Sequence, residues 1–105
     1  MPSEPFEVQL TRQAEKDLAD LRPWTEQAID ALLTLEQNPF HGHALMGSLK
    51  GTRSLEFSLP GGAYRAVYVV QEAQRVCLVF LVGPHEGLYQ RAERRIRALR
   101  RSGAI

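Results

Sequence analysis

One arginine stands where the pattern around it asks for an apolar residue. From Ala63 to Gln71 the chain alternates Tyr64, Ala66, Tyr68 and Val70 with Arg65, Val67 and Val69, the period-2 signature of a strand whose two faces are both largely apolar. A guanidinium on such a surface finds an internal anion, lies near the end of the sheet, or waits for an anionic ligand. Glu56 and Glu86 are the candidates for an internal partner, and Glu56 can also act as a base if it shares a face with Arg65. His85 follows the most apolar run of the chain. An imidazole with an unperturbed pKa of roughly 6.5 suits proton transfer near neutrality, and loops past strand ends often carry function. The alternative is a plain turn residue behind Pro84. Tyr64, Tyr68 and Tyr89 read first as packing residues with their hydroxyls satisfied at a rim.

The other reactive types give weaker signals. His41 and His43 flank a glycine, with no cysteine or acidic cluster beside them, so they are expected to be exposed loop residues rather than metal ligands. No metal and no cofactor are expected. Cys77 is single and lies inside an apolar strand, which fits a small buried residue in a reducing cytoplasm. The net charge of +1 conceals unlike halves: residues 1–50 carry four Lys or Arg against eight Asp or Glu, and residues 51–105 carry nine against four. Arg91, Arg94, Arg95, Arg97, Arg100 and Arg101 face only Glu93 within their run. Such a run suits a polyanion or an acidic partner chain, while a solvated helix face is the bland alternative.

The elements that must position these groups are legible as periodicities. At 105 residues the chain is expected to form one domain, 1–105, around one core. Its 44% hydrophobic and 24% charged content is that of a soluble globular protein, and no run nears the roughly 18 apolar residues of a membrane span. The start, MPSEPFEVQL, lacks the pattern of a signal peptide. Phe6, Val8 and Leu10 alternate as a half-buried strand; Thr11 then offers a helix N-cap, and Ala14, Leu18 and Leu21 recur at helical spacing. Arg22-Pro23 interrupts that helix and a second one is expected near Pro23, with Trp24, Ala28, Ala31, Leu32 and Leu35 as its stripe and Asn38-Pro39 as its end. Phe40 to Lys50 has no clear period and reads as a loop with a possible helical turn. Leu55, Phe57 and Leu59 mark a half-buried strand, Pro60-Gly61-Gly62 a reversal, and Val76 to Val82 a strand covered on both sides. A last helix runs from about Glu86 to Ser102, with Leu88, Ala92, Ile96 and Leu99 buried and Gly103 as its stop. The expectation is an α+β fold of order β-α-α-β-β-β-α: a small antiparallel sheet with an N-terminal helical hairpin and a C-terminal helix.

Several of these pieces recur together in one known family. The Asn38-Pro39 helix end, the Leu49-Lys50-Gly51 entry to the strands, the Gly62-Ala63-Tyr64-Arg65-Ala66-Val67-Tyr68 strand, the Val82-Gly83 strand end and the Tyr89-Gln90-Arg91-Ala92 helix resemble the RelE/ParE superfamily of type II toxins. The resemblance spans Phe6 to Leu99 in order and spacing. It implies a toxin paired with a cognate antitoxin, in a possible toxin–antitoxin hetero-oligomer. For many relatives it implies cleavage of messenger RNA on the ribosome and inhibition of translation; for the ParE branch it implies inhibition of DNA gyrase without nuclease residues. An inactive member kept for antitoxin binding is a third possibility.

Carried over residue by residue, the resemblance matches Arg65 to the sheet arginine that RelE-like nucleases use on the scissile phosphate, and puts Tyr89 near a tyrosine used by some of them. It sets His85 where YoeB-like relatives have a histidine acting as general acid. The lysines that RelE proper carries on the second strand are here Glu56 and Ser58; a glutamate can act as base but cannot neutralise phosphate. The implied chemistry is metal-independent: the substrate's 2′-hydroxyl attacks the phosphorus, so the protein removes that proton, stabilises the phosphate and protonates the 5′-oxygen. Arg65 suits the phosphate, because its planar fork pairs with phosphate oxygens and stays charged. Lys50 and Arg53 are helpers at the strand entrance. Arg91, Arg94 and Arg95 are expected on the RNA backbone.

Overall fold

A computed structural model describes residues 4–105. The elements are β1 (Glu7–Leu10), α1 (Arg12–Ala19), α2 (Thr25–Leu33), β2 (His43–Ala44), β3 (Arg53–Leu59), β4 (Gly62–Gln71), β5 (Val76–Pro84) and α3 (Leu88–Ser102), with 3-10 turns at Thr34–Glu36 and Gly47–Leu49. The five strands form one sheet in the order β1-β5-β4-β3-β2. The expected α+β order is present, with two refinements. The segment read as a loop contributes the two-residue β2, pairing with Arg53 and Ser54. And β1 runs parallel to β5, the other pairs being antiparallel; the helical hairpin carries the chain away from β1, so no tight turn dictates an antiparallel neighbour.

The sheet is a middle layer. On one face α1 and α2 pack Ala14, Leu18, Ala28 and Leu32 against Leu55, Leu59, Ala66, Tyr68, Cys77, Val79 and Val82. On the other, α3 packs Leu88, Ala92 and Ile96 against Val67, Phe80 and Leu81. The alternation read along β4 therefore assigns its residues to two cores, with Arg65 on the α3 side. Thr11 caps α1 as expected, its Oγ1 accepting from the Ala14 amide at 3.1 Å. Burial pushes the Cys77 thiol up to about 11, in keeping with a packing role.

β5 carries the one irregularity that matters for the site. Val67 pairs with Leu81 but Tyr68 with Val79, so Phe80 is an extra residue in the ladder. The bulge turns both Phe80 and Leu81 toward α3. It falls where β1 ends: the Leu10–Val79 pair is the last of the parallel ladder, closed by the Thr11 amide on the Val79 carbonyl at 3.0 Å.

Tyr68 anchors the irregular segment before β2. Its buried hydroxyl donates to the Pro39 carbonyl at 2.8 Å and accepts from the Gly42 amide at 2.9 Å. Burial raises its pKa, and the Gly42 hydrogen bond and the Arg53 charge only partly counter this. Gly42 is a glycine because of this closeness: a Cβ there would lie 2.7 Å from the Ser54 carbonyl oxygen and 2.9 Å from the Tyr68 hydroxyl. Gly42→Ala is expected to cost about 1–3 kcal/mol as an overpacked site, measured as a lower urea midpoint at unchanged slope; an unaltered midpoint would show that the segment can move aside.

Candidate functional site

Arg65 lies near the start of β4, opposite Glu56 of β3 and Gly83 of β5. Both of its long-range partners are side chains. Its Nη2 donates to Glu56 Oε2 at 3.0 Å, and its Nη1 to the Tyr89 hydroxyl at 2.5 Å. The guanidinium carbon also lies 5.9 Å from the centre of the Tyr89 ring, within cation–π range. Nε is buried and has no hydrogen-bond partner among the described residues. Burial works against the charge, but the Tyr89 and Glu56 contacts outweigh it and raise the Arg65 pKa. With its side chain 25% exposed and that of Glu56 56% exposed, the pair lies at the surface.

Tyr89 reaches Arg65 because of how the chain leaves β5. After Gly83-Pro84 the chain reverses through Gly87, whose φ of 68° is a left-handed conformation that glycine adopts freely. The Leu88 amide closes this turn on the His85 carbonyl at 3.2 Å. α3 then begins at Leu88, two residues later than the pattern indicated, so Tyr89 falls in its first turn beside the sheet arginine. The exposed His85 packs edge-on against Tyr89, ring centres 6.0 Å apart at 82°. Arg65, Tyr89, Glu56 and His85 thus share one patch at the sheet end beneath α3.

The remaining cations divide. Arg91 overlies Gly83: a Cβ at Gly83 would meet Arg91 Nη1 at 3.3 Å, which puts a second guanidinium beside the strand position paired with Arg65. Arg95 is engaged elsewhere. It donates to both oxygens of Asp17, at 2.6 and 3.1 Å, and to the Phe80 carbonyl at 2.9 Å, and is not free for a phosphate in this arrangement. Arg53 has the parity of Leu55 and Phe57 and serves the opposite face. It donates to the Gly42 and Phe40 carbonyls at 3.0 and 3.2 Å and lies over the Phe40 ring, away from Arg65. Lys50 lies at the far end of α3, its carbonyl accepting from Arg100 at 3.1 Å. Arg94 is exposed on the outer side of α3, and His41 and His43 are exposed before and in β2. Among the described residues no group of three or more His, Cys, Asp and Glu is placed to hold a metal ion, and no helix is long and apolar enough to cross a membrane.

Asp17 is the residue that sequence reading missed. It is 9% exposed on α1, yet it serves the other side of the sheet. Past Val79, β5 has no β1 residue beside it, and the Val82 amide donates to Asp17 Oδ2 at 2.9 Å instead. Arg95 completes the carboxylate, with Arg91 at 3.5 Å. One carboxylate therefore seals the open edge at the bulge and ties the hairpin to the helix that carries Tyr89. The signal was available: Ala14, Asp17, Leu18 and Leu21 form an i, i+3, i+4, i+7 stripe with a carboxylate in it.

Comparison with known proteins follows the same lines. The family model of the ParE toxin of type II toxin–antitoxin systems, parDE, matches residues 8–89. Among solved structures, the RelBE2 toxin–antitoxin complex of Mycobacterium tuberculosis is similar at 26% identity and a TM-score of 0.66, over 75% of this chain and 96% of that chain. A mutant of the Escherichia coli toxin RelE in the free state is similar at 20% identity and 0.68, over 90% and 98%. The intact E. coli RelBE complex gives 22% and 0.61, over 77% and 98%. No curated protein sequence matches.

Proposed function

This chain belongs to the ParE toxin family of type II toxin–antitoxin systems, within the RelE/ParE superfamily, and from the residues gathered around Arg65 we propose that it acts as a metal-independent endoribonuclease on ribosome-bound messenger RNA and is held in check by a cognate antitoxin. The antitoxin is supported by the RelBE complexes, in which a toxin of this fold is paired with one. The nuclease reading is carried by one observation: Arg65, Tyr89, Glu56 and His85 converge on a single surface patch. In this reading the Arg65 fork takes two phosphate oxygens as Glu56 swings off it, a movement open to a surface ion pair of low net strength. Tyr89 holds the guanidinium in plane. The 2′-oxygen attacks the phosphorus, the 5′-oxygen leaves, and a 2′,3′-cyclic phosphate forms. Glu56 is suited to accept the 2′ proton because it lies at the same patch, and His85 to give a proton to the leaving oxygen. Action on ribosomes makes the cytoplasm its place of work.

A second reading, inhibition of DNA gyrase by contact, is favoured by the match to the ParE toxin model over residues 8–89 and by Glu56 already neutralising Arg65 at 3.0 Å, as a structural pair would. Messenger integrity after induction of the wild-type protein separates the two, and replacing His85 tests its place in the site. The His85 side chain makes no hydrogen bond among the described residues, and His85→Gln is expected to slow messenger cleavage by about 10²–10⁴-fold, read by primer extension after induced expression. Full cleavage in this variant would remove His85 from the site, and intact messenger with wild-type protein would favour gyrase.

A further inference from the structure

We infer that the outer face of α3 is a track for the backbone of single-stranded RNA leading away from Arg65, an inference that rests on reading the Arg65 cluster as a phosphate site. Arg94, Arg97, Arg100 and Arg101 line one open groove there. Asp17 accounts for Arg91 and Arg95; it does not account for these four. Arg100 and Arg101 stand in the last turn, where cations offset the helix dipole, an effect that fades within a turn. Arg94 and Arg97 lie upstream of it. Arg94, Arg97 and Arg101 are spaced by three and four positions and share a face, and like charges at that spacing work against a helix. Among the described residues none of the four forms an ion pair. A row of guanidiniums with no ion-pair partner among the described residues is suited to an anion from outside.

The placement of the row selects a repeating anion. At 1.5 Å per residue, Arg94 stands about 8 Å and Arg101 about 18 Å beyond Tyr89 along the axis. The row lies on the helix that carries Tyr89, and the Arg100 hydrogen bond to the Lys50 carbonyl brings exposed Lys50 to its far end. A single phosphate needs one fork. A row of this length, on the same helix as Tyr89 of the proposed cutting site, matches successive phosphates of one strand, and it implies that substrate recognition depends on RNA extending to one side of the cut.

The test is fluorescence anisotropy with labelled, uncleavable 2′-O-methyl oligoribonucleotides from dinucleotide to octanucleotide, across a salt series. Wild-type protein is compared with the triple variant Arg94→Gln, Arg97→Gln, Arg101→Gln. All three side chains are exposed, and a matching thermal transition checks that the fold is kept. Affinity should rise with length in the wild type and much less in the variant, and the slope of log K against log salt should be shallower by about 2 in the variant, near 0.7 per lost contact. Equal slopes and equal length dependence in the two proteins would overturn the track. So would poly-glutamate of matched charge binding as tightly as the RNA, since that assigns the face to an acidic chain. Messenger cleavage is followed in parallel: slopes that differ as expected without cleavage would leave the track standing and remove the nuclease reading, whereas cleavage with equal slopes would remove the track alone.

Discussion

Asp17→Ala is expected to lower the stability of the fold by about 3 kcal/mol, the scale of removing one partner from a buried charge pair. The size follows from what is stranded. Arg95, 16% exposed, loses both carboxylate oxygens, and the Val82 amide loses its acceptor at an edge that β1 no longer covers. Each is a desolvated donor, and an unmet donor costs more than the bond it replaced had contributed. Asp17→Asn keeps an acceptor for Val82 and should lose less. Urea unfolding measures both, and a change within about 0.5 kcal/mol for Asp17→Ala would show that water serves these donors as well as the carboxylate does.

Arg65→Gln should give the opposite profile: little change in stability and near-complete loss of toxicity. Its pair with Glu56 is open to solvent on the carboxylate side, and such pairs contribute about 0–1 kcal/mol. Its proposed work is on charge that builds at the phosphate during cleavage, where losing one well-placed donor costs about 10²–10³ in rate. Growth after induction and messenger integrity give the readout. A variant that unfolds with the wild type yet still arrests growth and cuts messenger would remove Arg65 from the site. A variant that simply unfolds would make it a structural arginine.

The contrast between Arg65 and Asp17 shows what sequence can deliver. Arg65 was legible because strand alternation is a strict period: with Tyr64, Ala66 and Tyr68 on one face, the arginine belonged to the other; that Glu56 shares its face is set by the β3–β4 register, which parity within β3 does not give. The same parity assigns Arg53 to the face of Leu55 and Phe57, where it ties the Phe40–Gly42 carbonyls rather than reaching Arg65. Asp17 was harder. Its partners lie across the sheet, and the contact exists only because β1 stops at Leu10 and β5 bulges at Phe80. Neither shows in a run from Val76 to Val82 that is apolar at every position and so has no parity to break. The parallel setting of β1 was hidden for a similar reason, since alternation in Phe6, Val8 and Leu10 reports a buried face and not the direction of a neighbour. Tyr89 was found through resemblance, and its reach to Arg65 depends on the left-handed turn at Gly87.

The central claim is that the Arg65 patch cuts RNA, and the ends of the product test it most directly. Purified protein is added to ribosomes holding a defined messenger, and the fragments are analysed for their termini. The expected result is a cut at the A-site codon leaving a 2′,3′-cyclic phosphate and a 5′-hydroxyl, absent with Arg65→Gln. Messenger left whole by the wild-type protein, at concentrations that abolish gyrase supercoiling, would contradict it.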